Sequence, residues 1–194
     1  MPPFILHRVA VLGTSGSGKT TLARSLAARL DVPCVELDAL YWGADWTPRP
    51  SFEQEVRVAV QQPRWVIDGN YSGVRDTILR RATAIVWLDY ALPRVVSRAL
   101  SRTLRRVSSG ERLYGGNRET LWRTLFDLET PLWLAMRTHR RRRRELAEFF
   151  GRPEYRHANV IRLDSPAAAE RFLTRASAPP VSGFDGAGSP TGAE

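Results

Sequence analysis

The run GTSGSGKT, Gly13 to Thr20, constrains this chain more than any other stretch. It matches G-x-x-x-x-G-K-[ST], a pattern that works as a loop between a strand and a helix. An apolar run, 9–12, precedes it. Leu22, Leu26 and Leu30 follow at the spacing of one helical face. The glycines let successive backbone N–H groups turn inward around a phosphate. The helix that opens there adds its positive end. The pattern's lysine reaches terminal phosphates, and its Ser/Thr hydroxyl ligates Mg²⁺. The candidate nucleotide-binding residues are therefore Gly13, Thr14, Ser15, Gly16, Ser17, Gly18, Lys19, Thr20 and Thr21, with Thr20 also a metal ligand. A glycine-rich turn without a ligand would leave one coincidence unexplained: Lys19 is the only lysine in the chain.

The rest of the chain is organised around that loop. Four further apolar runs, 34–37, 65–67, 84–88 and 159–163, are short enough for buried strands. Helical patterns separate them. Ser51 and Gln54 have capping-box spacing at the start of one helix. Pro93 suits the first turn of another. Strands alternating with helices predict an α/β fold, a parallel sheet with right-handed crossovers. The polar stretch 108–116 and the helical stretch 118–150, interrupted at Pro131, form an insertion before the last strand. From residue 176 the composition lacks the apolar density of a folded segment, and a disordered tail is expected to 194. Residues 1–175 form the expected domain.

The chain has 194 residues and a net charge of +9, a balance that attracts polyanions such as nucleic acid, anionic membrane or phosphorylated small molecules. The base composition of the genome, reflected in many arginines and alanines, accounts for the charge equally well. Cys34 is the single cysteine, so neither an internal disulfide nor a cysteine metal cluster is expected. No apolar run approaches the roughly 18 residues of a membrane span, and a cytoplasmic location with no membrane partner is expected.

Magnesium bound to a nucleotide needs a carboxylate. Asp68, in RWVIDG, and Asp89, in AIVWLD, both end apolar runs. Asp89 follows the longer run; Asp68 is followed by Gly69, which leaves room for a ligand. Either can instead be a turn or helix-capping acid. After Pro93, Arg94, Arg98, Arg102 and Arg105 recur at helical spacing, with Val96, Leu100, Leu104 and Val107 on another face. Such a helix can bury the apolar face and aim guanidinium groups at one anion. An ordinary solvated face has the same spacing.

Taken together, the glycine loop, IDG, LDY, the arginine helix and the insertion resemble the adenylate-kinase-like P-loop kinases. LDALYW, WVIDGNYSGVRD, VWLDYALPRVVSRALSRTLRR and GNRET resemble, more narrowly, proteins described as related to a DNA topology modulation protein. The resemblance covers roughly residues 7 to 175. It implies a five-stranded sheet in the order 2-3-1-4-5, a helical lid at about 108–150, and transfer of the γ-phosphoryl of Mg-ATP to a small acceptor. It implies Asp68 over Asp89 as the metal carboxylate. It implies Arg98 and Arg102 as donor-phosphate contacts, and Arg118, in GNRET, as a lid arginine. In related kinases of hydroxyl metabolites an acid at the end of the second strand binds or deprotonates the hydroxyl, which points to Asp38. Tyr41, Trp42 and Trp46 follow it and suit either stacking on a ligand or core packing. Adenylate kinases continue Asp-Gly-Phe-Pro-Arg, where the arginine grips the acceptor's phosphate. Here the run is Asp-Gly-Asn-Tyr, with no arginine until Arg75.

Arg140 to Arg144 are five consecutive arginines. At about 100° per residue they point all round a helix and cannot meet one small ligand. Arg137, Arg141 and Arg144 share a face. The run fits a solvated helix end, a lid contact to phosphate, or a nucleic acid. The last would make the chain a nucleic-acid-binding ATPase, but no interleaved aromatics accompany the run.

Overall fold

The computed structural model describes residues 6–110, 113–117 and 131–176. Arg118 and the expected tail lie outside them. Five strands form one sheet: β1 (Arg8–Gly13), β2 (Cys34–Glu36), β3 (Trp65–Asp68), β4 (Ala84–Leu88) and β5 (Asn159–Leu163). Every pairing is parallel and the order is β2-β3-β1-β4-β5, as the resemblance implies. The helices are α1 (Lys19–Leu30), α2 (Leu37–Tyr41), α3 (Phe52–Ala59), α4 (Ser72–Leu79), α5 (Leu92–Ser109), α6 (Pro131–Phe150) and α7 (Pro166–Arg175).

β4, residues 9–12 of β1 and residues 65–67 of β3 are apolar because both faces of the sheet are covered there. On one face Val9, Val11, Val86 and Leu88 pack under Leu22, Leu26 and Leu30 of α1 and Phe172 of α7. On the other, Ala10, Leu12, Ile67, Ile85 and Trp87 pack under Val56 of α3, Ile78 and Leu79 of α4, and Leu146 of α6. Alternate residues of one strand thus serve opposite layers. Leu26 and Val56 are fully buried, each contributing about 1.5–3 kcal/mol of transfer free energy. The edge strand β5 leaves Val160 exposed.

Four local expectations are corrected. Residues 34–37 do not all form strand: β2 stops at Glu36, and Leu37 opens α2 with its side chain in the core. Asp38 therefore sits in the first turn of α2 and does not end a strand. Ser51 makes no capping hydrogen bond. Its own backbone is helical (φ −74°, ψ −8°), and its hydroxyl donates to Glu55 Oε1 at 2.6 Å. The buried face of α5 is not Val96, Leu100, Leu104 and Val107. It is Val95, Ala99 and Thr103, while Leu100 and Leu104 are exposed. Ala99 and the Val95 backbone face the glycine loop, which approaches α5 too closely for a side chain on Gly16. Pro93 does lie in the first turn of α5, and Pro131 opens α6.

Candidate active site

The loop after β1 turns on two left-handed glycines, Gly16 (φ +83°) and Gly18 (φ +92°). A Cβ on Gly16 would stand 2.9 Å from both Ala99 Cβ and the Val95 carbonyl oxygen. Contacts that short are not tolerated, so glycine here is what lets the loop rest on α5. A Cβ on Gly18 would stand 2.6 Å from Arg98 Nη2. The Arg98 guanidinium thus lies directly over the loop. Arg102, one turn on, is half-buried on the same helix.

Within the loop, Ser17 N–H donates to Thr14 O at 3.1 Å. Lys19 Nζ folds back to donate to the same carbonyl at 3.3 Å. Ser17 Oγ is buried and has no hydrogen-bond partner among the described residues. Ser15 is half-buried and Thr21 is exposed on the first turn of α1. Thr20 Oγ1 donates to Asp68 Oδ2 at 2.5 Å. β3 lies beside β1, with Val11 opposite Asp68, and this register brings the two residues together across 48 positions of sequence.

Asp68 is buried, and burial pushes its carboxyl above the usual range. Lys19 and the Thr20 hydroxyl oppose that shift, while Asp38 and Glu36 add to it. Its Oδ1 is buried with no partner among the described residues. Asp89 is engaged otherwise. Arg143 Nε lies 2.8 Å from Oδ1 and Arg162 Nη2 lies 2.5 Å from Oδ2. Both of its oxygens are taken, so Asp89 ties α6 and β5 to the end of β4.

Asp38 is exposed and accepts a hydrogen bond from Tyr71 Oη at 2.6 Å on Oδ1. Tyr41, Trp42 and Trp46 mainly pack on aromatic neighbours. Tyr41 lies edge-on to Trp42 and Phe52 and 4.6 Å from Tyr71; Trp42 lies edge-on to Trp46. Glu36 accepts from Arg24 Nε at 2.5 Å and from Tyr114 Oη at 2.6 Å. Asn117, buried, donates to the Gly43 carbonyl at 2.9 Å and accepts from Trp46 N–H at 3.2 Å. The segment 113–117 is therefore docked on the turn that follows α2.

Of the five arginines, Arg143 is the Asp89 partner, and exposed Arg141 pairs with Glu145 at 3.3 Å. Arg140 and Arg144 are exposed. The side chains of Arg137 and Arg142 lie outside the described ones. One turn before Arg143, His139 is buried, its Nδ1 3.5 Å from Thr14 Oγ1. Burial and the neighbouring Arg143 lower its basicity, and Asp89 partly restores it. Sequence reasoning missed His139, Glu36, Tyr71 and Tyr114. The one available signal was the four-residue interval from His139 to Arg143, which puts both on one helical face.

A five-stranded 2-3-1-4-5 sheet with this loop at the end of β1 defines a P-loop NTPase fold. The family model described as ABC transporter matches residues 6–125, well over half of the chain, and the chain belongs to that P-loop family. No helix among the described residues is long and apolar enough to cross a membrane. No curated protein matches the chain. Among solved structures, shikimate kinase from Acinetobacter baumannii in complex with shikimate matches with a TM-score of 0.51 at 16% identity, over 88% of this chain and 90% of that one. A gluconokinase from Sinorhizobium meliloti 1021 matches with a TM-score of 0.48 at 16% identity, over 89% and 90%. The first of these likenesses shows the fold.

Proposed function

We propose that the chain is a phosphotransferase that moves the γ-phosphoryl of Mg-ATP to a small acceptor. The observation that carries this reading is a convergence. Lys19, the Thr20–Asp68 pair and the Arg98 guanidinium all meet at one glycine loop. In this reading the loop amides and Lys19 hold the donor phosphates. Arg98 and Arg102, joined by Arg118 from the insertion, stabilise charge that spreads over the transferred group. Asp38 receives the acceptor. The fold shared with a shikimate kinase supports a small acceptor.

The residues present fit a magnesium ion. Thr20 Oγ1 and the unpartnered Asp68 Oδ1 are hard oxygen donors beside the loop. No group of three or more His, Cys, Asp or Glu side chains is placed to hold a metal among the described residues. The remaining ligands would be phosphate oxygens and water. When bound, the ion neutralises charge on the β- and γ-phosphates.

The test is ADP release from Mg-ATP with Lys19→Ala as the blank. Lys19 is half-exposed, and its ammonium donates to the loop's own Thr14 carbonyl. The variant is expected to fold normally and lose turnover. Turnover close to that of the unaltered chain would overturn the assignment.

A further inference from the structure

The acceptor side of the site carries a device absent from the nucleotide-kinase pattern. Three carboxylates, Glu36, Asp38 and Asp68, stand at or just beyond the C-terminal ends of β2 and β3. They are close enough to perturb one another: Asp38 and Glu36 both act on Asp68, and all three act on Tyr114. Glu36 is neutralised by Arg24 and held by Tyr114. Arg75 is the first arginine after Asp68-Gly69, and it faces elsewhere. Its Nε donates to Asn70 Oδ1 at 3.1 Å, and its guanidinium lies 5.4 Å from the Phe149 ring of α6. Asp38 is met instead by a phenol. Tyr71 Oη donates to Asp38 Oδ1, while the Tyr71 ring is wedged 4.6 Å from Tyr41 and 5.2 Å from Phe52. That wedge fixes the phenol, and the phenol fixes one carboxylate oxygen. Burial and the Asp38 charge keep Tyr71 protonated throughout the working range, so it serves as a donor and not as a base.

We infer that Tyr71 is a positioning residue that holds Asp38 so that its second oxygen, Oδ2, receives a neutral hydroxyl of the acceptor, and that a phosphate is not the reacting group at this site. The inference rests on the phosphotransfer reading above and narrows it. A hydroxyl donates to a carboxylate, whereas a phosphate placed beside Asp38 meets charge of its own sign. In the step, the acceptor oxygen forms a bond to the γ-phosphorus as its O–H bond breaks. The proton passes to Asp38 Oδ2. The bond from the γ-phosphorus to the β,γ-bridging oxygen breaks, and its electron pair leaves on ADP. A positioned carboxylate in this role contributes roughly 10²–10⁴-fold.

The experiment measures ADP release from Mg-ATP by the full chain against two sets of compounds. One set is phosphate-free alcohols: adenosine, thymidine, glucose, glycerol and inositol. The other is AMP, CMP and dTMP. The variants are Asp38→Asn, Tyr71→Phe and the double substitution, with Tyr71→Leu as a fold control that removes the ring as well. An alcohol is expected to stimulate turnover. With it, Tyr71→Phe should lower kcat roughly 10–100-fold, leaving KM for ATP and the melting temperature unchanged. The double variant should be no slower than Asp38→Asn alone, because two residues acting through one contact are not additive. A merely structural Tyr71 would lower the melting temperature and leave kcat alone, and that result overturns the inference. So does turnover of AMP, CMP or dTMP to the diphosphate, which would leave phosphotransfer standing. Mg-ATP binding without turnover of either set overturns the phosphotransfer reading itself.

Discussion

Replacing Asp89 by Asn should loosen the join between α6 and the sheet, and the size of the effect can be worked from its surroundings. The Asp89 side chain is 2% exposed, while its partners Arg143 and Arg162 are 46% and 53% exposed. Hydrogen bonds to charged groups contribute about 1.5–3 kcal/mol each when shielded. Half-exposed arginines reduce that toward about 1 kcal/mol each. The substituted amide keeps the volume and one acceptor but turns an N–H₂ toward a guanidinium. The expected loss is about 2–3 kcal/mol, or about 4–12 °C in melting temperature for a domain of this length. Arg143→Ala should cost about 0.5–1.5 kcal/mol and should add nothing to Asp89→Asn. Arg140→Ala and Arg144→Ala, whose side chains are exposed, should stay within about 0.5 kcal/mol of the unaltered chain. Urea and thermal unfolding read all of these. Equal costs at Arg140 and Arg143, or a neutral Asp89→Asn, would refute the idea that one arginine of the run anchors the helix while its neighbours are solvated.

Three further outcomes follow from the site and core. Arg98→Ala, which removes the guanidinium over Gly18, should lower kcat on the order of 10²–10³-fold; an unchanged kcat returns Arg98 to the solvated face. Asp68→Asn should abolish magnesium-dependent turnover yet raise the melting temperature of the ligand-free protein at neutral pH. The folded-state carboxyl is shifted upward, so ionising it destabilises the fold as pH rises through and above its unfolded value of about 4; the gain should vanish below that pH, and a lower melting temperature at neutral pH would contradict it. Leu26→Ala, at a fully buried position under β1, should cost about 2–5 kcal/mol in urea unfolding.

Much of the fold was legible because its signals are local. The apolar runs located the five strands to within a residue or so, and the loop pattern located the glycine loop between β1 and α1. The errors arose where a neighbour distant in sequence decides the outcome. Leu100 and Leu104 read as a core face, but the buried side of α5 is Val95, Ala99 and Thr103, and the first two of these lie against the glycine loop. Asp38 read as a strand end because Leu37 prolongs the apolar run, although that leucine turns into the core as the first residue of a helix. Apolar runs and spacing left Asp68 and Asp89 equivalent, and the resemblance alone favoured Asp68; their different partners, Thr20 for one and Arg143 and Arg162 for the other, are set by the sheet register and by contacts distant in sequence. Tyr114 carries no motif and His139 only its four-residue interval to Arg143; their long-range contacts, to Glu36 and Thr14, reveal them.

The most direct test follows a radiolabelled γ-phosphate from Mg-ATP in the unaltered chain and in Lys19→Ala, separating organic phosphate from inorganic phosphate. Label on an organic acceptor in the first protein and on none in the second is the expected result. Label appearing only as inorganic phosphate, or equally in both proteins, would contradict phosphotransfer at this loop.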